Sequence, residues 1–375
     1  MGIHFGVYSR AVFPTGAPTT NGSPVTTLQV EFTSEELLAD HTTAEPLVAA
    51  GVRCHGGFAA DGTYLPPRTK FRVPAIEAWQ ARHREVFGTE ILHVPLETWP
   101  GNFPNVAQAR FLIRSGVREP LMATLTRIGT VEGFGAAIRG LDPGDPQRWF
   151  DDDVRGTAVA HLGKGLFEAH GRDEAGWEAE AGHRDMWFTA RDIAFEGATA
   201  DIDVDAMLAR MGFGGPGAGA MPPRLLPDDI DFDLESIANF MIRVLLIEVQ
   251  AFHTFEWAET WLSDTDLVAG DGKAADLVAC IRQDETPHVG YLATALTEMR
   301  DRTWIGTGGK LHPGKEMIAT LWDAAMEQSL GAGKEQTRKA IHGEVEHWCA
   351  KRADAADLLE QFHALGTPAV LAASI

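Results

Sequence analysis

The sequence predicts a mainly α-helical protein with an irregular, partly β N-terminal region, and three observations carry that expectation. From Asn105 onward apolar residues recur at three- and four-residue intervals, the period of a helix with one buried face. Residues 1–103 instead collect Pro, Gly and Thr around short alternating stretches, VTTLQVEF at 25–32 and EILHVPLE at 90–97, which favour strands and loops. With 375 residues, 45% of them hydrophobic, the chain can bury a substantial core. The expected division is residues 1–103 and a helical domain at 104–375.

Taken in order, PNVAQARFLIRSG and EPLMATLTRIGTVEGFGAAIRGL give the first helices, stopped by the turn-rich LDPGDPQRW at 141–149. Asp151 to Asp153 can cap a helix running to about Arg172, and Trp177 to Glu196 reads as the next. A crossover follows at 198–233, with a short helix around Ala206 to Met211 and then the Gly/Pro run GFGGPGAGA. Two long helices, Leu234 to about Asp264 and Lys273 to about Thr303, are joined by TDLVAGDG, the second with Pro287 placed to kink or loosen it, and Gly314 to about Leu365 supplies two more.

Composition excludes several functions. A formal net charge of −21 repels a phosphate backbone, and no basic stripe offsets it, so nucleic acid is not an expected partner. No run of eighteen apolar residues occurs, and MGIHFGVYSRAVFPTG lacks the order of a secretory leader, so the expected location is the cytoplasm, away from membranes. Cys54, Cys280 and Cys349 share no CxxC spacing and read as free buried thiols. Gly309-Lys-Leu-His-Pro-Gly314-Lys315 imitates a phosphate loop, but Glu316 replaces the hydroxyl residue, and both it and GFGGPGAGA read as linkers.

The chemistry lies in two Glu-x-x-His motifs, Glu180-Ala-Gly-His183 and Glu285-Thr-Pro-His288, each placed in an expected helix. Residues i and i+3 share a helix face, so each motif aims a carboxylate and an imidazole at one point. Glu168, in GKGLFEAH, and Glu248, in LLIEVQAF, are the accompanying carboxylates on the preceding helices. Glu248 interrupts an apolar stretch, and a buried carboxylate is costly without a partner or a cation.

These residues resemble the ferritin-like diiron carboxylate proteins, in which one helix gives Glu, the next gives Glu-x-x-His, and a second helix pair repeats the scheme. The resemblance spans residues 151–303 and implies a four-helix bundle binding two metal ions through Glu168, Glu180, His183, Glu248, Glu285 and His288. Four carboxylates and two neutral imidazoles carry the charge that two divalent ions neutralise, and mixed oxygen and nitrogen ligation suits iron, with manganese an alternative at one position. The gap of 12 residues from Glu168 to Glu180 is short for this fold, against 37 from Glu248 to Glu285. A rival register therefore makes Glu132, in RIGTVEGFGAAI, the first carboxylate, with Glu168 on the following helix and Glu180 and His183 outside the site.

The function implied is a dioxygen-activating oxygenase, N-oxygenase or desaturase for a small organic substrate, with O2 as co-substrate, an electron-donating reductase or ferredoxin as partner, and a homodimer as one assembly. The alternatives are a ferritin-like metal-handling protein without an organic substrate, or a non-catalytic helical interaction protein. Trp187, Phe188, Phe252, Phe255 and Trp257 are candidates to wall a pocket, each with core packing as its plainer role. Tyr291, three residues after His288, is a candidate redox or proton donor. Asp284 and Asp192 are candidate partners for the histidines, whereas His161, His170 and His253 read as structural.

Overall fold

The computed structural model describes residues 29–96, 99–197 and 224–366. The expected helix at Ala206 to Met211 and the GFGGPGAGA run lie outside the described residues. In chain order the elements are α1 (Ser34–Leu37), β1 (Glu45–Ala49), β2 (Val52–Phe58), β3 (Tyr64–Leu65), α2 (Arg72–Phe87), α3 (Val106–Arg114), α4 (Glu119–Gly135), α5 (Ala158–His161), α6 (Phe167–Ala175) and α7 (His183–Ala194). Then come α8 (Phe232–Leu262), α9 (Lys273–Asp284), α10 (Thr286–Arg300), β4 (Thr303–Ile305), β5 (Leu311–Pro313), α11 (Gly314–Leu330), α12 (Ala332–Cys349) and α13 (Ala355–Ala364). The protein is mainly helical, with a small antiparallel sheet, β1-β2-β3, near its N-terminus.

Several expectations are corrected. Of the expected strands VTTLQVEF and EILHVPLE, the described parts, 29–32 and 90–96, are not strands, and residues 25–28 and 97 lie outside the described residues. Residues 29–32 and 90–95 run as irregular chain held by side chains instead of a neighbouring strand: the Phe32 N–H donates to His161 Nε2 at 3.1 Å, and the Leu92 N–H donates to Thr297 Oγ1 at 2.8 Å. That region also holds α2, whose buried Ala75, Ile76, Trp79 and His83 follow helical spacing and which ends at Gly88 in the left-handed conformation at φ 67°. The expected helix at 151–172 starts only at Ala158, where Thr157 caps it, and is disrupted at Leu162–Leu166. There Gly165 adopts φ 134°, which an L side chain rarely does. The expected loosening at Pro287 is present: the second long helix divides at Glu285, where Pro287 lacks the N–H that would continue the ladder. The phosphate-loop imitation is the β4-β5 hairpin, so a short strand precedes it. Three helices, not two, follow Gly314.

The core explains where a polar centre can sit. The first half of α8 packs with α2, α5, α10 and α11 in one apolar cluster that includes Trp79, Leu245, Leu292 and Leu296. Its second half packs with α4, α7, α9 and the sheet in another, around Trp187, Phe255, Trp261 and Ile281. Glu248 falls where α8 passes from one cluster to the other, and Glu285 falls between Ile281 of one and Tyr291 of the other. Helix α4 approaches α7 closely because Gly129 and Gly133 carry no side chain: a Cβ on Gly129 would meet Phe188 at 2.9 Å and the Arg184 carbonyl at 3.0 Å. All three cysteines are buried and free. Among the described residues no helix is long and apolar enough to cross a membrane.

Candidate metal centre

Two glycines build the tight connection that delivers the first histidine. Gly176 ends α6 at φ 84°, and a Cβ on Gly182 would lie 2.2 Å from the Gly176 nitrogen and 2.5 Å from the Asp173 carbonyl. The chain therefore folds back on itself so that His183, the first residue of α7, returns beside Glu174 of α6. The β2 strand grips this loop, with the His55 N–H donating to the Ala181 carbonyl at 3.0 Å and the Ala181 N–H donating to the Arg53 carbonyl at 2.9 Å.

Three buried groups of side chains with ligand chemistry result, each with its ligand atoms within 4.8 Å of one another: Glu132, Glu174, His183 and Glu285; His170, Glu174, Glu248 and His288; and His55, His183 and Asp284. His183 Nδ1 is 3.0 Å from Glu285 Oε1, 3.3 Å from Glu174 Oε1 and 3.7 Å from Glu132 Oε2. His288 Nδ1 is 2.6 Å from Glu285 Oε2, 3.3 Å from Glu174 Oε1 and 3.7 Å from Glu248 Oε1. His170 stacks on His288 with ring centroids 3.9 Å apart and places Nε2 3.3 Å from Glu248 Oε1. Glu174 and Glu285 thus face both histidines at once.

Both central histidines are braced from behind by the aspartate that precedes a central glutamate on the other strand of the constellation. His288 Nε2 lies 2.8 Å from Asp173 Oδ2, and His183 Nε2 lies 3.5 Å from Asp284 Oδ2. Asp173 accepts from Arg68 Nε and Arg72 Nη2, both at 2.7 Å, and these guanidinium groups outweigh burial and hold its carboxyl well below the usual range. Asp284 instead meets two neutral groups, His55 Nε2 and the Tyr64 hydroxyl, each at 3.1 Å.

The donor set fits a metal. His170 Nε2, both Glu174 oxygens, both His183 nitrogens and Glu285 Oε1 are fully buried, yet make no aligned hydrogen bond to any described group. Carboxylates stripped of water cost several kcal/mol each unless compensated. Burial, reinforced by neighbouring carboxylates, pushes Glu174 and Glu285 well above the ordinary range. Burial would depress His183, but Glu285 and Glu174 outweigh it and hold the ring well above its usual value. This is the electrostatics of a site lacking positive charge, and bound cations would supply it.

Of the residues expected from sequence, His183, Glu248, Glu285 and His288 come together, joined by Glu132 of the rival register. Glu168 and Glu180 do not. Glu168 is partly exposed and pairs with Arg172 at 2.7 Å, one turn along its own helix, and Glu180 sits in the loop before α7, pairing with Arg53 at 2.9 Å. The residue that takes their place is Glu174, nine residues before His183 across the turn instead of three before it on a helix. His170, expected to be structural, lies one turn before Glu174 and faces the centre. A signal for Glu174 existed: Asp173-Glu174 and Asp284-Glu285 are two Asp-Glu pairs, each followed by a central histidine. Asp192 pairs with Arg191 at 2.7 Å, away from the histidines. Trp187 and Phe255 pack on each other, centroids 5.0 Å apart, in the apolar core. Tyr291 is buried, its hydroxyl 3.0 Å from His170 Nδ1.

Compared with known proteins, the chain matches no family model, no curated protein and no solved structure.

Proposed function

We propose that this chain is a dioxygen-activating non-haem diiron oxidoreductase acting on a small organic substrate, built on a ferritin-like four-helix dimetal core. One observation carries the reading: four carboxylates and three imidazoles, all buried, converge from both halves of the chain and leave Glu174, His183, His170 Nε2 and Glu285 Oε1 without a hydrogen bond to any described group. Glu132 and His183 would hold one ion, His170, Glu248 and His288 the other, and Glu174 and Glu285 both. A bound iron pair supplies the electrons and Lewis acidity that dioxygen reduction requires.

The protein's own part is positioning and exclusion. Asp173 accepts a hydrogen bond from His288 Nε2–H, which fixes the tautomer that turns the Nδ1 lone pair toward the centre, and Asp284 lies 3.5 Å behind His183 Nε2. The hydroxyl of Tyr291 orients His170 through its Nδ1, leaving Nε2 free to face the carboxylates. Burial of every one of these side chains keeps bulk water from the reacting atoms. An external reductase or ferredoxin would deliver electrons, and manganese at one position is compatible with the same ligands.

The test is metal content and the optical spectrum of iron-supplemented protein before and after reduction and oxygenation. About two irons per chain are expected, with a transient absorption on oxygenation. Glu174→Ala and His288→Ala lose the metal, while Glu168→Ala and Glu180→Ala retain it. Protein that stays metal-free overturns the reading. Uptake and oxidation of iron with no organic compound oxidised would favour a metal-handling protein instead.

A further inference from the structure

The two halves of the centre differ in ligand chemistry and in the charge behind them. With Glu174 and Glu285 facing both, the group around His183 adds Glu132 and one imidazole, and the group around His288 adds Glu248 and two imidazoles, His170 and His288. The contrast deepens one layer out. Asp284, behind His183, meets His55 and Tyr64 and pairs with no guanidinium group directly, Arg68 reaching it only through His55 Nδ1 at 3.3 Å. Asp173, behind His288, is cancelled by Arg68 and Arg72, both buried and both from the N-terminal segment.

Given the dimetal reading above, on which this rests, we propose that the two positions fill in order: the one-imidazole position at Glu132, Glu174, His183 and Glu285, backed by Asp284, first, and the two-imidazole position at His170, Glu174, Glu248, Glu285 and His288, backed by the Asp173–arginine cluster, second. A first divalent cation goes where the carboxylate charge is least offset, which is the side without the Arg68 and Arg72 guanidinium pair, and ligation by three carboxylates and one imidazole suits a hard ion such as Mn2+. The second ion meets shared carboxylates whose charge is already partly offset, the repulsion of the first ion, and the two guanidinium groups behind Asp173. Arg68, Arg72, His55 and Tyr64 are positioning residues here, since none belongs to either of the two groups that would take an ion; His55 meets only the outer edge of His183, ring centroids 5.1 Å apart.

The experiment is a titration of the metal-free full-length chain with Mn2+ alone, followed by calorimetry and electron paramagnetic resonance. Two steps are expected. The first equivalent gives the signal of an isolated ion, and the second broadens it as neighbouring spins couple. His170→Ala should leave the first step unchanged and weaken the second at least about tenfold, and Glu132→Gln should weaken the first by a similar factor. Coupled pairs appearing from the first addition, or a first step weakened in His170→Ala, would overturn the order while leaving the dimetal centre standing. Should His170→Ala not fold, the wild-type signal and Glu132→Gln decide the matter. Absence of any Mn2+ and iron uptake overturns the dimetal reading itself.

Discussion

Three buried glutamates show how a side chain's neighbours decide its chemistry. Glu235 accepts the Leu225 and Leu226 N–H groups at 2.6 and 3.2 Å and pairs with Arg224 at 2.9 Å, so it is a satisfied brace at the start of α8. Glu248, on the same helix, faces imidazoles and other carboxylates. Glu298 is a third case: it accepts the Ala158 and Val159 N–H groups at 3.2 and 3.0 Å beside a cavity of about 170 Å³ that Arg82 and Arg302 also line. Burial dominates there and pushes its carboxyl from the ordinary 4.5 up to about 7. The native state therefore keeps a proton that the unfolded chain has already released, so this group makes stability fall as pH rises through that window. Glu298→Gln removes the titration and should flatten the decline by up to about 3 kcal/mol. Urea unfolding of both proteins at pH 5 and pH 8 checks it; equal pH dependence would show that Glu298 is not the group responsible.

At the scale of elements, the decisive device is the turn between α6 and α7. Gly182 faces only backbone, with the Gly176 nitrogen, the Asp173 carbonyl and the Glu174 carbonyl all within 2.9 Å of where a Cβ would stand. Gly182→Ala should therefore push α6 and α7 apart, destabilise the protein by about 1–3 kcal/mol and lower metal uptake by displacing His183. Gly133→Ala is the control, because its Cβ would meet only the flexible Arg184 side chain, 2.8 Å away at Cδ, which can move. Equal losses of metal in both variants would show that the turn has no special role. The break at Glu285 works differently. Pro287 interrupts the helix while Glu285 keeps αR backbone angles, φ −74° and ψ −19°, so Glu285 and His288 keep their one-turn relation at 2.6 Å.

For the whole molecule, the N-terminal segment and the helices form one unit around the centre. His55 and Tyr64 from the sheet region, with Arg68 and Arg72 beyond it, reach the aspartates of α6 and α9. A cluster of like charges buried at the meeting point of two apolar clusters stores repulsion in the metal-free protein. Divalent cations that bind only the folded state should raise the unfolding midpoint in proportion to the logarithm of their concentration, and a chelator should lower it. Thermal melts across a Mn2+ series test this, and a midpoint indifferent to metal and chelator would contradict it.

The sequence by itself determined the helical class, the break at Pro287, the free cysteines, and three of the residues that meet in the candidate centre. Glu248, Glu285 and His288 were legible because helical periodicity is local: a carboxylate inside an apolar stripe and an i, i+3 pair keep their geometry in any fold that retains those helices. The tertiary structure alone decided the first half. Glu180 has the right spacing to His183 but lies in a loop, and Glu174 has the wrong spacing but is returned to His183 by a turn whose closeness depends on Gly176 and Gly182. The same holds for His55, Tyr64, Arg68 and Arg72, which are remote in sequence from the residues they brace. Contacts of that kind depend on how elements dock, and docking is set by the summed packing of two cores, which no local pattern encodes.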